Sequence, residues 1–371
     1  MNFRKTILAA SLSACAGAAM AADKVPTLGD VLKASDIAIN GYIDTSYTYL
    51  SGSGTFTSGT ADRVYDRERR SFNLHTVDLS VGYQPASGFG GFAQVDLGSD
   101  AMVSASAGTS STDDVDVQEA YLQYASGKFT IIGGKFATTA GAEVIESPSN
   151  LNFSRSILFG YAIPFTHTGL RATYAASDAL KFFGGVNNGW DVVKESASGD
   201  GGTDKTLELG VSASPTKALS LAAGIHRGEE PGNVAGQNGM RSLLDLVATF
   251  AVSDALSFTL NYDRAEQDKA LVGGDKAKWS GIAGYVNYKL SDTWRVAFRT
   301  ESFDDKNGFR TGVTQKWKES TLTLANTPSK NVELRAEVRR DSSDKSSFNE
   351  PGNATNKKNQ QSAALEAIYK F

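Results

Sequence analysis

Four arginines stand in two pairs with a spacing of four residues: Arg295 with Arg299, and Arg335 with Arg339. Each pair lies in a stretch where polar and apolar residues alternate. Residues two or four apart in a β-strand lie on the same face of the strand. Fixed charges gathered on one face attract ions of the opposite sign. These residues therefore predict electrostatic selection of charged solutes.

A second group of charges lies in and beside a long polar segment, residues 138–166. It contains two carboxylates and three basic residues: Glu143, Glu146, Lys135, Arg155 and Arg171. Carboxylates that face basic groups across a water-filled space create a transverse field, which orients dipolar solutes and sets ion preference. Asp78, Asp96 and Glu119 are expected to face the same space, so the sign of its net charge stays open.

Residues that catalyse reactions or hold cofactors are sparse. The histidines His75, His167 and His226 are far apart in the sequence, and the only cysteine is Cys15. This pattern predicts neither a disulfide scaffold nor a Cys/His zinc site. No G-x-S-x-G motif or nucleotide-binding loop occurs, so we expect no enzyme activity, no metal and no cofactor. His167 is the best catalytic candidate, and we favour a structural hydrogen bond for it instead.

The composition excludes several classes of protein. The mean hydropathy of the 371 residues is −0.26, whereas an α-helical membrane protein needs apolar runs of roughly 20 residues. Aromatic residues make up 10% of the chain, which argues against a disordered polymer. The net charge of −4 and the sequence pI of about 5.6 provide no basic field for nucleic acid.

The N-terminal residues 1–21 predict a secretory signal peptide. A basic start is followed by a short apolar stretch, and Ala19 and Ala21 offer the small side chains that a signal peptidase reads, so we expect cleavage before Ala22. Leu12-Ser13-Ala14-Cys15 instead resembles a lipobox, and lipidation at Cys15 stays an alternative. Residues 22–35 predict a short periplasmic helix or a lead-in peptide.

Residues 36–371 repeat one pattern of about ten residues, in which apolar and polar side chains alternate. Leu334 and Val338, for example, alternate with Arg335 and Arg339. A period of two is typical of a β-strand with one apolar face. We count sixteen such segments, one of which spans residues 217–227. Short turns and long polar loops alternate between them along the whole region.

This alternation predicts an all-β fold, a transmembrane up-and-down antiparallel β-barrel of about 16 strands. A soluble sandwich or propeller does not predict short and long connections in strict order. A charge that faces lipid at the midplane costs about 2–4 kcal/mol, so the charged faces are expected to line the lumen. The turns are expected to face the periplasm and the loops the outside.

The last segment alternates up to Tyr369 and Phe371. This pattern resembles the C-terminal signal that the assembly machinery of the bacterial outer membrane reads. We therefore expect Tyr369 and Phe371 to serve as an assembly signal.

Two regions carry a resemblance to a known family. The first includes Gly133-Gly134-Lys135-Phe136, Phe153-Ser154-Arg155-Ser156 and Pro164-Phe165-Thr166-His167-Thr168-Gly169, and the second includes Ile39-Asn40-Gly41-Tyr42-Ile43-Asp44. They resemble the OmpL-like β-barrel porins of bacterial outer membranes. The resemblance implies an outer-membrane porin in Gram-negative bacteria, and a homotrimer by analogy, but it implies no particular solute.

A barrel of sixteen strands encloses more space than side chains fill, so the expected function is passive diffusion of ions and small hydrophilic solutes. The segment 138–166 is expected to fold into the lumen as a constriction loop. Further expected partners are outer-membrane lipid, lipopolysaccharide and the assembly machinery, and nucleic acid is not expected. A surface-binding barrel, such as an adhesin or phage receptor, is the alternative, and a barrel enzyme is a weaker one.

Overall fold

The computed structural model describes residues 28–51, 62–108, 114–194, 204–234, 237–349 and 356–371. The predicted signal peptide, with Cys15 and the cleavage site, lies outside the described residues. Helix α1, Leu28–Ser35, belongs to a separate unit, Met1–Ile37, and the described part of the predicted segment 22–35 is thus helical. Among the described residues, no helix combines the length and apolarity needed to cross a membrane.

The second unit, Ala38–Phe371, is a closed antiparallel barrel of sixteen strands. The strands are β1 Ala38–Leu50, β2 Ser71–Tyr83, β3 Gly88–Leu97, β4 Val115–Ser126, β5 Phe129–Ala137, β6 Thr166–Ser177, β7 Leu180–Asn187, β8 Thr206–Thr216, β9 Leu219–Pro231, β10 Asn238–Ala251, β11 Leu256–Gln267, β12 Ala277–Lys289, β13 Trp294–Asp305, β14 Gln315–Ser329, β15 Val332–Ser343 and β16 Asn359–Lys370. Each strand pairs with the next, and β1 closes on β16 with Tyr42 opposite Lys370 and Leu50 opposite Ser362. The predicted fold class is confirmed.

The outer surface of the barrel is apolar and the inner surface is polar. On β15, Leu334 and Val338 are 44% and 56% exposed, whereas Arg335 and Arg339 are 2% and 3% exposed. A soluble sheet would show the opposite pattern, because water would meet its polar face. The exposed apolar face is therefore the one that suits lipid, and side chains in the other alternation point inward.

The two ends of the barrel differ in their connections. Seven connections of two to four residues lie at one end, which we call the turn end, and eight connections of six to 28 residues lie at the other, the loop end. Short helices occur in two of the long loops: α2, Ser99–Ser104, and α3, Ile157–Tyr161. A 3-10 turn, Ser147–Ser149, precedes α3.

Strand bounds differ from the predicted ones mainly at the loop end. The segment predicted over 217–227 becomes β9, Leu219–Pro231, and its last residue still pairs with Asn238 of β10. The backbone ladder thus continues past the point where apolar side chains stop. Hydrogen bonding between backbones does not require an apolar face, so the pattern of hydrophobicity alone ends the strand too early.

An apolar cluster lies inside the barrel near the loop end, where a uniformly polar interior was expected. Inward-facing Trp279, Phe303 and Trp317 belong to it together with Leu158 and Ile163 of the 138–166 segment, and all five are at most 1% exposed. Trp279 Nε1 also donates to the Ala162 carbonyl over 3.1 Å. The core of this barrel therefore joins one wall to the long loop between β5 and β6.

The barrel interior and the 138–166 loop

The backbone amides of the 138–166 loop are bound by inward-facing glutamates. Glu301 accepts hydrogen bonds from the amides of Ile157 and Leu158 over 2.6 and 3.0 Å. Glu337 binds the amides of Phe153 and Ser154 over 2.8 and 3.0 Å. The first amides of a helix have no partner within it, so Glu301 also satisfies the start of α3.

Inward-facing arginines bind the carbonyls of the same loop. Four of the predicted residues take part, with donor–acceptor distances of 2.7 Å for Arg295 to Leu151, 2.5 Å for Arg299 to Ser154, 2.9 Å for Arg335 to Asn150 and 2.6 Å for Arg339 to Arg155. The guanidinium group suits this role because it offers five donors in a fixed plane. The loop is thus held against β13–β15 through both its backbone amides and its backbone carbonyls.

These arginines are neutralised by direct ion pairs. Arg299, which is fully buried, lies 2.7 Å from both Glu319 and Glu143. Arg335 lies 2.8 Å from Glu333. Buried charges are tolerated only when they are paired and hydrogen-bonded. At Glu143 and Arg299 the predicted opposite charges are therefore in contact and do not face each other across a gap.

The remaining predicted residues lie apart from this network. Lys135 pairs with Asp116 over 3.1 Å, and Arg171 pairs with Glu208 over 2.7 Å. Glu146 accepts hydrogen bonds from the amide groups of Gln118 and Gln94, which carry no charge. The structure thus brings the predicted charges into the interior as separate pairs along different strands.

Arg155 lies within the loop and stabilises its shape. It donates to the Ile145 carbonyl over 2.5 Å and to the Phe153 carbonyl over 3.1 Å. Burial alone would lower the pKa of the Arg155 guanidinium. Its electrostatic interactions with Tyr65, Asp100 and Glu143 have the larger effect, so the pKa of Arg155 is raised. Arg155 therefore stays charged and acts on the loop itself, whereas it was predicted among the wall residues.

Aligned carboxylates form a feature that sequence reasoning found only in part. Asp78 lies opposite Asp96, and Asp96 lies opposite Asp116, on β2–β4. Asp245 and Asp263 face each other on β10 and β11. Their positions in the polar alternation were visible in the sequence, but the register that aligns them was not.

Most of these carboxylates have no basic partner. Among the described residues, the ion pairs include Asp116 with Lys135 but none at Asp78, Asp96, Asp245 or Asp263. Both carboxylate oxygens of Asp263 are buried without a hydrogen-bond partner there, as is one oxygen of Asp96. The interior therefore presents acidic positions that basic residues do not neutralise.

Among the described residues, exposure to solvent differs between parts of the inner barrel wall. Near the turn end, inward positions on β8–β11 carry small neutral groups that are half-buried or exposed: Ser212, Ser220, Thr249, Ser257 and Thr259. On β13 and β14 the corresponding positions, Ala297 and Ala325, are at most 1% exposed. At this depth the inner wall is therefore more hydrated on β8–β11 than on β13 and β14.

Two histidines that are far apart in the sequence meet in the interior. The rings of His167 and His226 stack with centroids 5.2 Å apart, and Glu208 lies beside them. Their distance in the sequence does not indicate this contact, because inward side chains of a curved sheet converge even when their strands are not neighbours. His75 lies elsewhere, 3.1 Å from Asp100.

Solved structures with the same architecture are outer-membrane channels. The outer membrane channel DcaP of Acinetobacter baumannii is 14% identical, with a TM-score of 0.62 and coverage of 90% of this chain and 97% of that chain. The anion-selective porin from Comamonas acidovorans is 12% identical, with a TM-score of 0.64 and coverage of 90% and 99%. OmpT of Vibrio cholerae in its trimer form is 14% identical, with a TM-score of 0.61 and coverage of 90% and 99%. At these identities the likeness shows the fold.

Sequence comparison gives the family. No curated protein matches the chain. Residues 36–371 match the sequence profile of the family described as "Putative beta-barrel porin-2, OmpL-like". The matched residues include the whole barrel. The chain therefore belongs to the OmpL-like β-barrel porins and is a channel protein of the bacterial outer membrane.

Proposed function

We propose that this porin conducts cations and small hydrophilic solutes through a narrow passage on one side of the barrel, and that residues 138–166 set its width. The observation that carries the proposal is that wall side chains of both charges bind the backbone of the loop. Arg299 and Arg335 bind its carbonyls, and Glu301 and Glu337 bind its amides.

A loop bound in this way resists displacement by solutes. Its attachments come mainly from β13–β15, with further hydrogen bonds from the Gly141 and Ala142 amides to Asp245 on β10 and Asn261 on β11. Its apolar residues pack against the aromatic side chains of β12–β14. The free cross-section near the turn end then includes the space beside β8–β11, where hydroxyl groups meet solvent. A passage lined by small neutral polar groups favours hydrated solutes over apolar ones.

The proposed preference for cations follows from the charges that are left unpaired. Interior arginines form ion pairs, as Arg171 does with Glu208. The partner's negative charge therefore cancels most of the arginine's effect on ions elsewhere in the lumen. Asp78, Asp96 and Asp245 have no such partner among the described residues. These carboxylates are buried, and each stands opposite another, so a facing pair shares a proton and keeps about one negative charge. That charge makes the interior more favourable for cations than for anions.

Removal of the loop tests the proposed constriction. Deletion of residues 140–160 is expected to raise the single-channel conductance in a planar bilayer several-fold, because it removes the segment that fills one side of the lumen. Deletion of residues 272–274 is the matched control, since this loop-end segment includes Val272, which is 80% exposed. Conductance that is the same in both deletions and the wild type would rule out the constriction.

A reversal potential in a salt gradient tests the ion preference. With potassium chloride the wild type is expected to favour potassium, and the double variant D78N/D96N is expected to lose part of that preference. D254N is the control, because Asp254 lies exposed in a short turn. A preference of the wild type for chloride would contradict the proposal.

The proposed assembly is a homotrimer, which the trimer form named for OmpT of Vibrio cholerae supports. The mass of the detergent-solubilised protein, measured by light scattering, is expected to equal three chains. A monomer at the concentrations used for conductance would contradict this assembly. We also propose that the barrel has no catalytic activity, so that hydrolase substrates are left unchanged by purified protein.

A further inference from the structure

Two imidazoles and a carboxylate come together on the inward face of β6, β8 and β9. They belong to His167, Glu208 and His226, and one ligand-type atom of each lies within 4.8 Å of the others. All three residues are at most 1% exposed. This set of donor atoms is typical of metal sites in proteins.

His167 is already arranged as a ligand. Its Nδ1 lies 3.2 Å from the Gly189 carbonyl oxygen. That oxygen can only accept a hydrogen bond, so Nδ1 carries the proton and Nε2 keeps a free lone pair. Nε2 has no hydrogen-bond partner among the described residues. A metal-bound histidine commonly donates its other N–H to a carbonyl in this way, which fixes the ring.

His226 supplies a second free imidazole. Both of its ring nitrogens are buried without a hydrogen-bond partner among the described residues. A buried polar group without a hydrogen-bond partner destabilises the fold. Coordination of an ion through one nitrogen would remove part of that destabilisation.

Glu208 supplies the third donor, held in place by a neighbour. Arg171 donates to both of its carboxylate oxygens, over 2.7 and 2.9 Å. Each carboxylate oxygen has a second lone pair, so the carboxylate can bind an ion while Arg171 orients it. The charge of Arg171 opposes a bound cation and therefore weakens its binding.

We propose that His167, Glu208 and His226 bind one transition-metal dication of the Zn²⁺ class inside the barrel. Two nitrogens and one oxygen suit Zn²⁺, Ni²⁺ and Cu²⁺, whereas Ca²⁺ and Mg²⁺ take oxygen ligands. Metal–ligand bonds of about 2.0–2.2 Å place tetrahedral ligand atoms roughly 3.4 Å apart. The two imidazoles stack with their planes 12° apart, so at least one ring must rotate out of the stack for both lone pairs to point at one ion. A water or a passing solute would take the fourth position.

Equilibrium dialysis of the full-length barrel, purified in detergent without a polyhistidine tag, tests the proposal with ZnCl₂ as the probe. The wild type is expected to bind one Zn²⁺ per chain. H167Q and H226Q are each expected to lower the affinity at least tenfold. H75Q is the matched control, because it removes the remaining histidine at a different place, and it is expected to bind as the wild type does.

Three results would overturn the proposal: no binding by the wild type, unchanged binding by H167Q and H226Q, or displacement of Zn²⁺ by a hundredfold excess of CaCl₂. Folding of each variant is checked by the migration of unheated samples in gels. Should the variants fail to fold, the visible spectrum of the wild type with CoCl₂ decides the question. A spectrum with intense tetrahedral bands supports nitrogen ligation, and the spectrum of hydrated Co²⁺ contradicts it.

Discussion

At the scale of single residues, the interior of the barrel depends on buried charges that are matched one by one. Arg299 illustrates this, because it is fully buried and contacts Glu319, Glu143 and the Ser154 carbonyl at once. One side chain therefore joins β13, β14 and the loop. Its loss leaves Glu143 without its counterion and Glu319 with only the more distant Arg339, 3.8 Å away.

We expect R299M to be strongly destabilised, because removal of one partner of a buried ion pair costs about 3–5 kcal/mol. The temperature at which the folded band disappears from gels measures this. R264M is the control, since Arg264 is an exposed arginine on β11. In R299M/E319Q the loss should be smaller than the sum of the single losses, and strictly additive losses would show that the pair is not coupled.

The carboxyl group of Asp62, in the loop between β1 and β2, predicts a pH dependence. Burial raises the pKa of Asp62 to about 6 from its ordinary value of 3.8, although the amide of Arg63 donates to it over 3.0 Å. The folded state therefore binds a proton more readily than the unfolded state does. Stability contributed by this group is present at low pH and is lost as the pH rises from about 4 to about 6.

We expect D62N to be more stable than the wild type above pH 6, because the neutral amide replaces a buried charge. The difference should shrink as the pH falls towards 4, where the wild-type carboxyl group is protonated in the folded state. Melting temperatures of both proteins between pH 4 and pH 7 provide the comparison. A constant difference over this range would show that Asp62 does not titrate in the window.

At the scale of elements, β7 depends on a glycine. A Cβ at Gly185 would lie 2.3 Å from Glu208 Oε1 and 2.7 Å from the Leu170 carbonyl oxygen. Gly185 stands opposite both Arg171 and Glu208, so the ion pair between them passes over β7 where a side chain is missing. The strand is thus built to let its two neighbours interact.

We expect G185A to lower stability by about 1–3 kcal/mol, as overpacking does. G284A is the matched control within β12, because a Cβ there meets nothing within 4 Å and Gly284 has no positive φ. Gel-based melting of both variants gives the comparison. Equal melting temperatures would mean that the neighbours of Gly185 move aside without cost.

The strands could be predicted from the sequence, whereas the partners of the long loop could not. Lipid outside and charge inside impose a period of two, so the inward placement of Arg335 and Arg339 follows from local pattern alone. The contact between the Phe153 amide and Glu337 joins residues 184 apart in the sequence. Nothing in the neighbourhood of either residue encodes that choice.

At the scale of the whole molecule, the fold could be predicted and the asymmetry of its interior could not. The alternation of short turns and long loops implied a closed barrel of sixteen strands. The apolar cluster around Trp279 and Phe303 forms along β10–β14, because the 138–166 loop lies there and contributes eight of the twenty buried residues of the cluster. The histidine pair escaped sequence reasoning for a related reason, since curvature brings His167 towards His226.

The seam between β1 and β16 has a consequence for biosynthesis. These strands, Ala38–Leu50 and Asn359–Lys370, are neighbours in space and lie at opposite ends of the barrel sequence. Until the later one is made, the earlier one keeps an open edge, which is prone to pair with other chains. Contacts between such distant segments also form slowly. A nascent polypeptide of this kind cannot close its barrel before β16 has been synthesised, so the edge of β1 stays open to mispairing until then.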